Sequence, residues 1–410
     1  MAPMRRIFLL IVAALAVMAL PAMAQLRLPP LGIPPLGRVT GTIVNTLEDA
    51  NAEVTRVSED FLRIRDNRIA KLLRDHPDAI ERDNNGDLAR RGELFLLDAD
   101  PDALAIARKA GFVIGDNEPI DGLGIELVRL SVPQSLSLAE SEDVLRALLP
   151  DATISADSLH FPAGGSNTLT SLAMLTSSTT SIRSPVGMID GAPGDHARPS
   201  AMRGFAKGAP YPSNHGSAIV SLLDFSGVQD IRVADVYGTD PAGGNALAIA
   251  KALGWLTSGG AKVITISLVG PRNALLERAI ASAHRQGVII VAAVGNDGPA
   301  APPAYPASYE GVLAVTAVDG RNRALIEAGK AVHLDYAAPG ADLRVRNVAG
   351  KRTRVRGTSF AVPLVAARVA ANDGSRSQII AQLDREAVDL GRKGPDDTFG
   401  RGLLCSSCRP

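Results

Sequence analysis

A mostly parallel α/β sheet with helices on both faces, preceded by a small α+β unit, is the fold this chain predicts, and three observations carry it. Apolar runs long enough for buried strands end in a polar residue beside glycine: Val186-Gly187-Met188-Ile189-Asp190-Gly191 does so, and the run from Gly287 delivers Asn296 before Gly298. Apolar helical stretches at 214–223 and 361–369 alternate with such runs. Residues 92–161 read as strand, helix, strand, strand, helix, strand, a split βαβ unit.

At 410 residues and 46% apolar content the chain is long enough for two domains plus extensions around a sizeable core. Its 43 basic and 43 acidic residues cancel, and only 4% of residues are aromatic. Neither a basic footprint nor a stacking platform is present, so nucleic acid is set aside as a partner. No glycine-rich strand-to-helix turn of the dinucleotide or P-loop type occurs, which leaves a nucleotide-binding α/β protein a distant alternative.

Residues 1–24 read as an export signal. Arg5-Arg6 is the charged start, Ile7 to Leu20 the apolar stretch, and Ala22-Met23-Ala24 a small-residue cleavage site before Gln25. A membrane anchor is the competing reading, but the apolar run is short for a span. No membrane association is expected after signal removal, and the mature protein is expected to be secreted or periplasmic. From 25 to 91 the chain begins with a proline-rich extended lead over 28–36. Leu47, Ala50, Val54, Val57, Phe61 and Ile64 then recur at helical spacing, a periodicity that fails at Arg68. Such a helix is expected to pack on its neighbour domain. Glu81, Asp83, Asn85 and Gly86 imitate a calcium loop, but the first position is not Asp and position twelve is Gly92, so the reading is rejected.

Within 92–161 the expected strands are 93–97, 112–114, 125–130 and 152–156, with helices over 101–110 and 138–149. Residues 162–184, rich in Gly, Ser and Thr, read as a flexible connector before the core at 185–404. An exposed connector is a natural target for proteolysis, but the residues name no scissile bond. Cys405 and Cys408 lie in a tail, 405–410. In an oxidising compartment they would close a four-residue loop, with intermolecular pairing the alternative.

The chemistry-bearing residues sit at element ends. Asp190 and Asn296 close strands, His215 opens the helix that follows Asn214, and Gly357-Thr358-Ser359-Phe360-Ala361-Val362-Pro363 sets a serine at a helix mouth. In parallel α/β sheets, sites gather at the carboxyl ends of strands. A helix N-terminus favours an oxyanion forming beside Ser359. Singly, Asp190 and Asn296 are ordinary turn residues and His215 an ordinary helix-start histidine; four in one order ask for a joint explanation. His196 is the one rival base, and it lies in a loop with no rigid mount.

These segments resemble those of the subtilisin-like serine peptidases, the subtilase family, in the family's order Asp, His, Ser. Ile266-Ser267-Leu268-Val269-Gly270, Tyr305-Pro306-Ala307 and Phe399-Gly400-Arg401-Gly402-Leu403-Leu404 match further landmarks, so the likeness spans about 185–404. It implies a subtilisin-like fold and peptide-bond hydrolysis of polypeptide substrates. Ser359 would be the nucleophile, His215 the base, Asp190 its orienting carboxylate, and Asn296 an oxyanion donor. It also implies peptide binding along Ser267, Leu268, Val269 and Gly270, with a specificity pocket lined by Ala292, Ala293, Val294, Gly295 and Ala304. Those small uncharged groups favour an apolar substrate side chain. Neither cofactor nor metal is called for.

By the same analogy 92–161, with its ferredoxin-like pattern, resembles a subtilase propeptide. It would assist folding and then act as an intramolecular inhibitor, its last strand leading Leu159, Phe161 and Pro162 along the Ser267–Gly270 edge like a substrate. Three departures stand out: Gly191 where the family has Ser or Thr, Val269 where it has Gly, and a short stretch over 222–234 that drops a calcium loop. They leave a catalytically silent subtilase-fold binding protein as the alternative function.

Overall fold

The computed structural model describes residues 56, 58–163, 165–167 and 181–410, of which 165–167 are described as backbone. The proposed signal at 1–24, the proline-rich lead and Leu47 to Val54 lie outside the described residues.

Seven parallel strands form the core sheet. From one edge they run Tyr336–Pro339, Leu313–Val318, Ile289–Ala293, Val263–Ile266, Val186–Asp190, Ile231–Asp235 and Ala201–Gly204. Strand alternation divides the side chains between two layers. Val186, Met188, Val291 and Ala293 pack with helices Asn214–Phe225 and Val362–Ala370, whereas Ile189, Ile290 and Ala292 pack with helices Ala246–Ser258 and Ala274–Arg285. Both faces are covered, which is why these strands read as continuous apolar runs. Each large apolar side chain buried in this way contributes about 1.5–3 kcal/mol.

Before the core, strand Leu88–Leu97 is the centre of an antiparallel sheet. Its second half pairs with Leu127–Ser131 on one side and Thr153–Ser158 on the other, Val113–Asn117 pairs with Leu127–Ser131, and Ile80–Arg82 forms a hairpin with its first half. Leu94 and Leu96 pack on helices Pro101–Lys109 and Leu138–Leu148. Phe95 and Leu97 point to the other face and join the core layer around Leu253 and Leu275. One strand thus serves two hydrophobic layers.

Two expectations change. The helix expected to lose its pattern at Arg68 runs over 58–75. Ile69, Leu72 and Leu73 resume an apolar face, and Arg68 interrupts it because its guanidinium bonds to Asp297 of the core. The connector expected over 162–184 begins as paired strand: Phe161–Pro162 lies antiparallel to Leu268–Val269, and Gly165–Asn167 antiparallel to Arg352–Arg356. Sequence composition marked it as coil because its pairing partners lie about a hundred or more residues away. The tail packs on the core. Cys405 and Cys408 form a disulfide with Cα atoms 5.0 Å apart, and Cys405 is buried in the core. At the imitation calcium loop, Asp83 Oδ1 accepts hydrogen bonds from the N–H groups of Asn85 and Asp87 in a hairpin turn.

Candidate active site

Asp190 ends the strand Val186–Asp190 and is 1% exposed. His215 stands in the first turn of helix Asn214–Phe225, whose N-cap Ser213 accepts from the Gly216 N–H at 2.9 Å. The helix start is pressed onto the strand end, since a Cβ on Gly216 would lie 2.0 Å from the Gly191 carbonyl oxygen. That approach brings His215 Nδ1 to 2.9 and 2.8 Å from the two Asp190 oxygens. Asp190 Oδ1 also accepts from the Gly191 N–H at 2.8 Å. Gly191, the first departure, leaves room for the cap: a Cβ there would lie 2.5 Å from Ser213 Oγ. His196 packs beside Gly350 instead.

Ser359 lies on the 3-10 turn Thr358–Phe360 that leads into helix Val362–Ala370, and is fully buried. His215 and Phe360 rings pack at 5.4 Å between centroids, which carries the imidazole next to the serine turn. The Ser359 hydroxyl donates to the Ser267 carbonyl at 3.0 Å, and His215 Nε2 is buried with no hydrogen-bond partner among the described residues. Asn296 Oδ1 accepts from the Thr358 N–H at 3.0 Å, and its Nδ2 is likewise buried without a partner. The two unsatisfied nitrogens belong to side chains that contact Phe360 and Thr358, on either side of a serine whose hydroxyl has rotamers available by rotation about one bond.

The edge expected to bind peptide is paired with the chain itself. Ala163 N–H donates to the Ser267 carbonyl at 3.1 Å, and the Ala163 carbonyl accepts the Ser359 N–H at 2.9 Å. Pro162 faces Leu268 and Phe161 faces Val269. His160 is fully buried against Gly270, where a Cβ would come within 2.5 Å of its ring. Burial pushes the His160 imidazole down to about 4. Its carbonyl accepts from the Tyr237 hydroxyl at 2.8 Å, and burial followed by the Asp190 and Asp235 charges raises that phenol well above its ordinary range, keeping it a donor.

Val269, Gly270, Val294, Gly295 and Ala304 line a cavity of about 360 Å³, to which Arg68 and Phe161 also contribute. Ala292 and Ala293, expected in this lining, are instead buried in the two core layers as the end of the strand, and the lining begins at Val294 and Gly295 just beyond it. Ser267 and Leu268 are buried and meet residues 162–163 through their backbone.

Sequence reasoning missed five contributors. Ser213 was findable as a capping residue three before Gly216. Tyr237, Arg68 and Asp157 carried no local signal. Asp157 accepts from the Leu247 N–H at 2.9 Å at the start of helix Ala246–Ser258, near Arg90, and burial raises its carboxyl to about 7. Asn273, at the start of helix Ala274–Arg285, donates to the Ala156 carbonyl at 2.7 Å.

A sequence profile described as the subtilase family matches residues 209–402. Subtilisin Savinase of Lederbergia lenta is 33% identical over 197 residues, covering 47% of this chain and 70% of the relative. The minor extracellular protease Epr of Bacillus subtilis (strain 168) is 27% identical over 197 residues, and the chain spans only 30% of its length. Fervidolysin from Fervidobacterium pennivorans, described as a keratinolytic enzyme related to subtilisin, has a solved structure with a TM-score of 0.61 at 15% identity. That alignment covers 78% of this chain and 61% of fervidolysin, a likeness of fold. With its seven-stranded parallel sheet and this relationship, the chain belongs to the subtilase family and carries a subtilisin-like serine peptidase core.

Proposed function

We propose that the protein is an exported serine endopeptidase made as a self-processing zymogen, with Asp190, His215 and Ser359 as its triad and Asn296 as an oxyanion donor. The observation that carries the reading is the Ser359 N–H held on a peptide carbonyl, next to an imidazole whose Nδ1 is already fixed by Asp190. In the reaction, Ser359 Oγ rotates from the Ser267 carbonyl to His215 Nε2 and attacks the substrate carbonyl carbon as Nε2 takes its proton. Asp190 holds the tautomer and the resulting positive charge. The Ser359 N–H and Asn296 Nδ2 meet the oxyanion. Residues 92–161 act as an intramolecular inhibitor by filling the cleft with Leu159 to Ala163, an arrangement supported by the pairing of Phe161–Pro162 with Leu268–Val269.

A second reading, a catalytically silent binding protein, draws on the Ser359 hydroxyl bonded to Ser267 rather than His215. A serine-directed fluorophosphonate separates the two. Covalent labelling of processed material that disappears in Ser359→Ala, together with hydrolysis of a peptide amide, supports the peptidase; an unlabelled folded protein rejects it.

A further inference from the structure

The chain is paired with the core on both sides of the residue that rests on Ser359. Upstream, Leu159 bridges Asn245, the His160 N–H donates to the Gly244 carbonyl at 2.8 Å, and Phe161 and Pro162 pair with Val269 and Leu268. Downstream, Gly165, Ser166 and Asn167 pair with Arg356, Val355 and Arg354. Between them, the carbonyl resting on the Ser359 N–H is that of Ala163.

Register is fixed by a proline. Ala163 and Ser267 form a hydrogen-bonded pair, so in an antiparallel ladder the adjacent pair, Pro162 and Leu268, is the one that exchanges no hydrogen bonds. Pro162 lacks an N–H and is tolerated there; a slip of one residue would put it where a donor is required. The same slip would move buried His160 away from the space left by Gly270. Ala163 itself is 2% exposed, which fits a small apolar side chain and no charge.

Resting on the peptidase reading above, we propose that the bond this protein cuts in itself is the one following Ala163, so that the mature chain begins at Gly164. Ser359 Oγ bonds to the Ala163 carbonyl carbon while its proton moves to His215 Nε2. The bond from that carbon to the Gly164 nitrogen then breaks, and His215 returns the proton to that nitrogen as the leaving amine. Water attacks the Ala163–Ser359 ester, one of its protons passing to His215 and on to Ser359 Oγ as the ester bond breaks. The net change consumes one water and leaves a carboxyl group on Ala163 and an amine on Gly164.

The test is cell-free translation of the chain from Gln25, followed over time by mass spectrometry of both fragments, for the wild type, Ser359→Ala and Ala163→Glu. The proposal expects the first-formed amino-terminal fragment to end at Ala163, no cut in Ser359→Ala, and processing slowed by about 100-fold or more in Ala163→Glu, since the buried position would receive an unpaired charge. A Ser359-dependent first cut at any other bond, or Ala163→Glu processing within about twofold of wild type, overturns the assignment and leaves the peptidase reading standing. Absence of any cut in wild type together with absence of fluorophosphonate labelling overturns both.

Discussion

The Arg68 guanidinium bonds to both carboxylate oxygens of Asp297, at 3.1 and 2.9 Å, and Asp297 is the residue directly after Asn296. Helix 58–75 therefore reaches past the small α+β sheet to the loop of the proposed oxyanion donor. Arg65 Nε lies 3.7 Å from the same carboxylate, and Phe61 covers Gly298, where a Cβ would approach its ring within 3.0 Å. An inhibitory segment beginning at Pro77, just past the helix, should consequently bind the mature core more weakly than one beginning at Ser58, by about tenfold or more. Inhibition constants for the two segments decide it, and equal values would make the helix a bystander. Because the Arg68–Asp297 pair is partly exposed, a double-mutant cycle on it should return no more than about 1 kcal/mol, with apolar contacts supplying the rest.

Asn296→Ala should lower kcat by about 10²- to 10³-fold with little change in KM, a magnitude known for the equivalent donor of subtilisin itself rather than one obtained from this geometry. Steady-state kinetics on a peptide amide provides the check. A variant that loses KM and keeps kcat would reassign Asn296 to ground-state binding.

Gly191→Ser restores the residue type expected after the aspartate, yet it should destabilise this protein. The new Cβ would lie 2.5 Å from Ser213 Oγ and displace the cap of the His215 helix. Loss of such a cap costs about 1 kcal/mol. Chemical denaturation of the Ser359→Ala background gives the readout, and an unchanged or raised midpoint would contradict the account.

Two groups where the amino-terminal unit meets the core titrate in opposite senses. Burial raises Asp157 from 3.8 to about 7, so the folded state holds a proton the unfolded state has lost; its stabilising contribution is complete below about pH 3.8 and disappears as pH rises to 7. Burial lowers His160 from 6.5 to about 4; its contribution is complete above about pH 6.5 and disappears as pH falls to 4. Over most of that range they offset each other. In the Ser359→Ala precursor, adding Asp157→Asn should unmask a loss of stability between pH 6.5 and 4, whereas adding His160→Gln should unmask a loss between pH 4 and 7. Denaturation midpoints across that range measure both, and parallel profiles for all three proteins would sink the idea.

What the sequence determined by itself was the identity of the elements. The strand ending in Asp190, the helix opening at Asn214, and the turn from Gly357 into the helix at Val362 are written in short-range terms, apolar period, caps and glycines, that a local reading recovers. Tertiary structure alone decided three things. It gave Phe95 and Leu97 a second layer to pack on, it turned Arg68 from a break in a helical pattern into a partner for Asp297, and it set Ala163 rather than a neighbour on the Ser359 N–H. Each depends on strands or helices meeting across roughly a hundred residues or more of chain. Pairing register and burial at that distance are fixed by which surfaces close together, and no periodicity within the segment itself encodes its partner.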